Sequence, residues 1–60
     1  MDTMEELIEF AKKVIKDHPE LKSEVMDTVQ NAQCEIDDGE SEANEVGLAY
    51  NYIQQDLLNV

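Results

Sequence analysis

The sequence predicts an all-α protein, a small three-helix bundle whose helices run up, down and up. Apolar residues recur at steps of three and four along three segments, which is the spacing of an amphipathic helix: about 3–16, 19–37 and 42–58. Two short breaks, at Asp17–Glu20 and Asp37–Ser41, separate these segments. Because short connections favour antiparallel neighbours, we expect residues 1–60 to form a single helical domain.

The first segment separates its apolar residues from its charges. Its apolar stripe has six members: Met4, Leu7, Ile8, Ala11, Val14 and Ile15. Acids come early and lysines late, which complements the helix dipole. Glu9 and Lys13 are four apart, a pairing worth roughly 0.2–0.5 kcal/mol. Phe10 lies off the stripe, which indicates either a contact surface or a broader core face.

The first break is centred on a proline. Pro19 disfavours helical geometry at His18 and suits the first turn of a new helix, so Asp17 or His18 is expected to cap the second helix. The apolar stripe that follows is thin: Leu21, Val25, Val29, Ala32 and Ile36. Because such a stripe covers a third helix poorly, a helical hairpin that dimerises, with an additional third helix, stays open as an alternative.

The second break contains a glycine and a serine. Gly39 can adopt the left-handed conformation that closes a helix, and Ser41 is a favourable cap for the next one. The third segment then presents its own apolar stripe: Ala43, Val46, Tyr50, Ile53 and Leu57. Gly47 costs about 1 kcal/mol relative to alanine inside a helix. It marks either the close approach of another helix or a weak point.

The charges are distributed unevenly along the chain. The net charge is −11, and the four lysines all lie at or before Lys22. Residues 23–60 carry nine acids and no lysine or arginine. Such a field repels nucleic acid and acidic membranes and attracts basic surfaces. We therefore expect a protein partner with a basic surface, no direct nucleic-acid binding and no membrane association.

Other features indicate a soluble cytoplasmic protein without catalytic activity. Cys34 is the one cysteine, so no internal disulfide can form. The N-terminus lacks the pattern of a signal peptide, and no apolar stretch approaches the roughly 20 residues that cross a bilayer. One histidine, one cysteine and no arginine leave little for acid-base or nucleophilic chemistry. We therefore predict no enzyme, no cofactor and no specific metal ligand.

The second break partly matches a calcium-binding loop. With Gly39 at the sixth loop position, Glu45 falls at the twelfth and Asp38 at the fifth. The first and third positions would then be Cys34 and Ile36, which offer no side-chain oxygen to a hard cation. A module that responds to divalent ions is therefore only an alternative function.

Two sets of residues are candidates for partner binding. Acids around the second break would supply long-range attraction: Glu35, Asp37, Asp38, Glu40, Glu42 and Glu45. Tyr52 and Phe10 would supply short-range contacts. Tyr50 and Tyr52 lie about 200° apart around a helix. Tyr50 follows the apolar stripe, so Tyr52 is expected to be the exposed ring.

Part of the chain resembles a known group of proteins. The run Gln33–Ser41, followed by Glu45–Tyr50 and then Ile53, is similar to a pattern in small acidic accessory proteins of large tailed bacteriophages. The similarity covers residues 33–57 and describes a helix-turn-helix connection rather than a site. It implies a phage accessory protein that acts in an infected bacterial cell by binding and redirecting a host factor.

The leading hypothesis is a small acidic protein that binds a basic surface of a host protein and inhibits or modulates it. In one variant, the carboxylates mimic the phosphates of DNA and block a nucleic-acid-binding enzyme. The main alternative is a structural helical homodimer whose acidity keeps it soluble.

Overall fold

The computed structural model describes residues 1–60 as three α-helices and one short 3₁₀ turn, and the predicted all-α three-helix fold is confirmed. The elements follow one another along the chain: α1 (Met4–Asp17), the 3₁₀ turn (Pro19–Leu21), α2 (Lys22–Asp37) and α3 (Glu42–Leu58). The bundle measures 32 × 17 × 16 Å. Helix α3 has the bounds that the sequence predicted, and α1 is shifted by one residue.

Helix α1 begins with a capping box that the sequence analysis missed. The Thr3 hydroxyl accepts a hydrogen bond from the Glu6 amide, and the Glu6 carboxylate accepts one from the Thr3 amide, both at 3.2 Å. The same carboxylate also accepts from the Asp2 amide at 3.0 Å. The hydrogen bonds that the Glu6 carboxylate accepts hold its pKa below the ordinary value, and the one from the Asp2 amide has the largest effect. A Thr-x-x-Glu spacing before an apolar run is the signal that predicts this cap.

The first break differs in detail from the prediction. Pro19 does begin a new element, but residues 19–21 form a 3₁₀ turn, and the α-helical hydrogen bonding starts at Lys22. His18 occupies the position before the turn, yet neither its side chain nor that of Asp17 caps the new element. The His18 ring nitrogen Nδ1 instead lies 3.4 Å from a carboxylate oxygen of Glu20.

The second break is built as the sequence predicted. Gly39 has a φ of 106°, a left-handed conformation that favours glycine. Its amide donates to the Ile36 carbonyl, and the Glu40 amide donates to the Glu35 carbonyl, both at 3.0 Å. This pair of hydrogen bonds is a Schellman motif, which satisfies the last carbonyls of α2. Ser41 then caps α3 by accepting from the Asn44 amide at 3.3 Å.

The core is small and wholly apolar. Four side chains are fully buried, and at least one comes from each helix: Leu7, Val25, Val46 and Ile53. Six further residues complete the buried set: Met4, Ala11, Val14, Leu21, Ala32 and Ala49. Only two buried residues lie within α2, so its apolar stripe is as thin as the sequence indicated.

Two further contacts join α1 to α3. The rings of Phe10 and Tyr50 pack with their centroids 4.9 Å apart. Phe10 therefore broadens the core face of α1 and does not form a separate contact surface. The Glu42 carboxylate accepts a hydrogen bond from the Met4 amide at 3.0 Å. This bond places the first turns of α1 and α3 at the same end of the bundle, as an up-down-up arrangement requires. Glu42 thereby satisfies one of the free amides at the start of α1.

Gly47 is a weak point in α3 rather than a site of close packing. A β-carbon added there meets no heavy atom within 4 Å.

Gly47→Ala is therefore expected to raise the free energy of unfolding by about 1 kcal/mol, because alanine loses less backbone entropy in a helix. Gly39→Ala is the matched control and should lower it by roughly 1–2 kcal/mol, because alanine is strained at positive φ. Urea denaturation measures both, and a destabilised Gly47→Ala variant would contradict this reading.

A second prediction concerns the hydrogen bond that the Met4 amide donates to the Glu42 carboxylate. Glu42→Ala should lower the free energy of unfolding by about 1 kcal/mol, the usual effect of losing a helix N-terminal acceptor. Glu42→Gln keeps an acceptor oxygen and should lose less. Glu40→Ala is the control, since the Glu40 side chain makes no hydrogen bond. Equal stability of the Glu42→Ala and Glu40→Ala variants in urea denaturation would refute the structural role of Glu42.

Candidate partner-binding surface

The lysines are confined to one part of the folded bundle, whereas acids occur throughout it. Lys12, Lys13 and Lys16 are exposed on α1, and Lys22 is exposed at the first residue of α2. The remainder of α2, the second break and all of α3 carry the nine acids that have no lysine or arginine among them. The hairpin formed by α2 and α3 is therefore the acidic part of the molecule.

None of these nine acids is paired with a cation. One lysine ion pair forms within 4.0 Å, between Glu9 and Lys12 at 3.9 Å, and the His18 ring lies 3.4 Å from the Glu20 carboxylate. Both precede Ser23. The first replaces the predicted pairing of Glu9 with Lys13. No acid of the hairpin is therefore neutralised by a direct ion pair within the molecule.

Some of these acids stand where the helix itself disfavours them. Glu35 and Asp37 lie in the last turn of α2, and Asp38 is its C-terminal cap residue. No basic residue lies in that turn. The C-terminal end of a helix carries a partial negative charge, and a cation there typically stabilises by 0.3–1 kcal/mol, so carboxylates have the opposite effect. The unfavourable acids are therefore concentrated beside the second break.

The six acids predicted to bind a partner differ in their internal contacts. Three accept hydrogen bonds: Asp37 from Gln33 at 2.9 Å, Glu42 from Met4 at 3.0 Å and Glu45 from Asn44 at 3.4 Å. The side chains of Glu35, Asp38 and Glu40 make no hydrogen bond and are exposed. The Glu42 carboxylate thus joins α3 to α1, whereas the other five acids leave carboxylate oxygens open to solvent.

A groove of about 410 Å³ runs between α2 and α3, and we call it the α2–α3 groove. It is lined by four residues of each helix: Thr28, Asn31, Ala32 and Glu35 from α2, and Glu45, Leu48, Ala49 and Tyr52 from α3. Each set has the spacing i, i+3, i+4, i+7, which is one helix face. No residue of α1 lines it, so it opens on a face that α1 leaves uncovered.

The groove has a small-residue floor and an apolar side. Ala32 and Ala49 form the floor and are buried. Leu48 and Tyr52 are 46% and 60% exposed, and they stand four residues apart on α3. Because α2 and α3 are antiparallel, Glu35 lies opposite Glu45 at the end of the groove nearest the second break. The groove therefore combines exposed apolar side chains with an acidic end.

The structure brings together only part of the predicted site. Tyr52 is exposed as predicted, and it lines the α2–α3 groove together with Glu35 and Glu45. Phe10 does not join them, because it packs against Tyr50 and lines a separate depression at the start of α1. Leu48 was not among the predicted site residues. The one sequence signal for it is that Leu48 is apolar and stands four residues before Tyr52, on the same face of α3.

No three His, Cys, Asp or Glu side chains converge where they could hold a metal ion, so the calcium-like spacing at Gly39 and Glu45 does not assemble ligands. Cys34 is exposed on α2 and forms no disulfide. None of the helices has both the length and the apolar character needed to span a bilayer.

Comparison of the chain with models of known protein families, with curated proteins and with solved structures found no match. The resemblance of residues 33–57 to phage accessory proteins therefore stays a prediction.

Proposed function

We propose that this protein is a small acidic interaction module that binds a basic surface of another protein and inhibits or modulates that partner by occupying the surface. The observation that carries the proposal is the unpaired charge of the α2–α3 hairpin, in which nine acids lack any cation within ion-pair distance. A basic partner would supply the missing counter-charges.

The energetics of the acids favour such a partner. Glu35, Asp37 and Asp38 oppose the dipole of α2 in the free protein, so a cationic surface placed beside them would relieve an existing repulsion. The same field accelerates the encounter, because long-range attraction raises association rates with oppositely charged proteins. Since binding to the folded state alone stabilises it, the partner would also raise the stability of the bundle.

The resemblance to phage accessory proteins implies that the partner is a host protein in the cytoplasm of an infected bacterium. Blocking a basic surface is inhibitory when that surface is the partner's own binding site. Where that site normally takes nucleic acid, the carboxylates would act as a DNA mimic. Such binding is strongly weakened by salt, because most of its attraction is between solvent-exposed charges.

The test is affinity capture from a bacterial lysate with two charge-matched variants. One variant neutralises the hairpin with Glu35→Gln, Asp37→Asn, Asp38→Asn and Glu45→Gln. The other neutralises four acids outside it with Glu5→Gln, Glu9→Gln, Asp17→Asn and Glu20→Gln. Each removes four negative charges and changes the net charge from −11 to −7.

We expect the wild type and the second variant to retain a basic protein in about 50 mM NaCl and to release it in about 500 mM NaCl, where screening is strong. The hairpin variant should not retain it. Purified partner and protein then give the affinity directly by titration calorimetry. Equal retention by the two variants, or recovery of only further copies of this chain, would contradict the proposal.

A further inference from the structure

We infer that the α2–α3 groove binds an amphipathic helix of the partner, with its apolar stripe in the groove and its basic residues at the end beside the second break. This inference rests on the proposed function and specifies the part of the partner that is recognised. Its basis is the combination, in one groove, of a lining two helical turns long, two exposed apolar side chains and an unpaired acidic end.

The dimensions of the groove suit a helix. Its lining extends from Thr28 to Glu35 on α2 and from Glu45 to Tyr52 on α3. At 1.5 Å per residue each stretch is about 10 Å long, which is two helical turns. The small side chains of Ala32 and Ala49 leave room at the floor for a larger side chain from an incoming helix. A helix in this position would complete a four-helix arrangement.

The apolar side of the groove supplies short-range contacts. Leu48 and Tyr52 lie on one face of α3, and they would pack against residues at i and i+3 or i+4 of the incoming helix. A tyrosine at the edge of such a contact can bury its ring and keep its hydroxyl in water. Tyrosine is among the residues whose truncation most often weakens binding at an interface.

The charges of the groove determine the chemistry of the occupant. Glu35 and Glu45 are its only charged lining residues, and Asp37 and Asp38 lie just beyond the same end. A helix with acids there would be repelled, whereas lysine or arginine side chains would meet four unpaired carboxylates. The incoming helix is therefore cationic at that end.

A second copy of this chain does not meet these requirements. Its net charge of −11 would bring acids against acids. Its lysines lie mainly on α1, whose apolar residues Leu7, Ala11 and Val14 are already buried in the core of its own bundle. No helix of the chain offers both a free apolar stripe and a cationic face.

The experiment uses the full chain and two synthetic peptides of identical composition. One peptide, about four turns of Leu, Ala and Lys, places its leucines on one helical face and its lysines at one end. The other has the same residues in an order that destroys the stripe. Titration calorimetry in about 100 mM NaCl gives the affinities, and amide chemical shifts of labelled protein locate the binding surface.

We expect the amphipathic peptide to bind with one-to-one stoichiometry, at least tenfold more tightly than its isomer, and to shift the amides of residues 28–35 and 45–52. The double variant Leu48→Ser, Tyr52→Ala should weaken this binding by roughly tenfold or more. The control variant Ile8→Ser, Leu58→Ser changes exposed apolar residues outside the groove and should bind as the wild type does. Circular dichroism confirms that each variant is folded.

Four outcomes would overturn the groove assignment. If the Leu48 and Tyr52 changes have no effect while neutralising the hairpin acids abolishes binding, the acidic surface binds without the groove and the proposed function survives. If neither set of changes matters, or neither peptide binds, the groove assignment fails, and the capture experiment decides the function separately. If the groove amides shift with protein concentration alone, a second copy occupies the groove.

Discussion

The ten buried apolar side chains of this bundle hold together a chain whose charges repel one another. A domain of this size buries only about 60% of the surface that its unfolded chain exposes, so its margin of stability is narrow. Each helix end matters in such a domain. The capping box at Thr3, the Schellman motif at Gly39 and the cap at Ser41 all satisfy backbone groups that would otherwise be left to water.

Because the margin of stability is narrow, the positions of the acids show which of them stabilise the fold and which do not. Acids that serve the fold are found at helix N-termini, as Glu6 and Glu42 are, where they accept hydrogen bonds from backbone amides. Glu35, Asp37 and Asp38 lie instead at a C-terminus, where they destabilise a narrow margin. Asp37 accepts a hydrogen bond from Gln33, whereas the side chains of Glu35 and Asp38 make none. Departures from local rules without an evident structural gain are expected at functional sites. The position of these three acids beside an open groove is what links the fold to the proposed function.

Local signals in the sequence predicted the helices well, but they could not predict which residues of different helices lie together. Gly39 and Ser41 act through their own backbone neighbourhood, so their roles could be predicted from the residues alone. The contact of Met4 with Glu42 joins residues 38 apart and depends on how α1 and α3 align. The alignment of α2 with α3 likewise determines which exposed residues share a groove, and the sequence therefore predicted Tyr52 but not its neighbour Leu48.

The central claim is that the acids of the α2–α3 hairpin repel one another without internal compensation. The free energy of unfolding, measured by urea denaturation between about 10 mM and about 500 mM NaCl, tests it most directly, because the screening length falls from about 30 Å to a few ångströms over that range. The claim predicts that the wild type becomes more stable as salt is added, and that the variant with neutral residues at 35, 37, 38 and 45 gains much less. A wild type whose stability is unchanged by salt, or that gains no more than this variant, would contradict it.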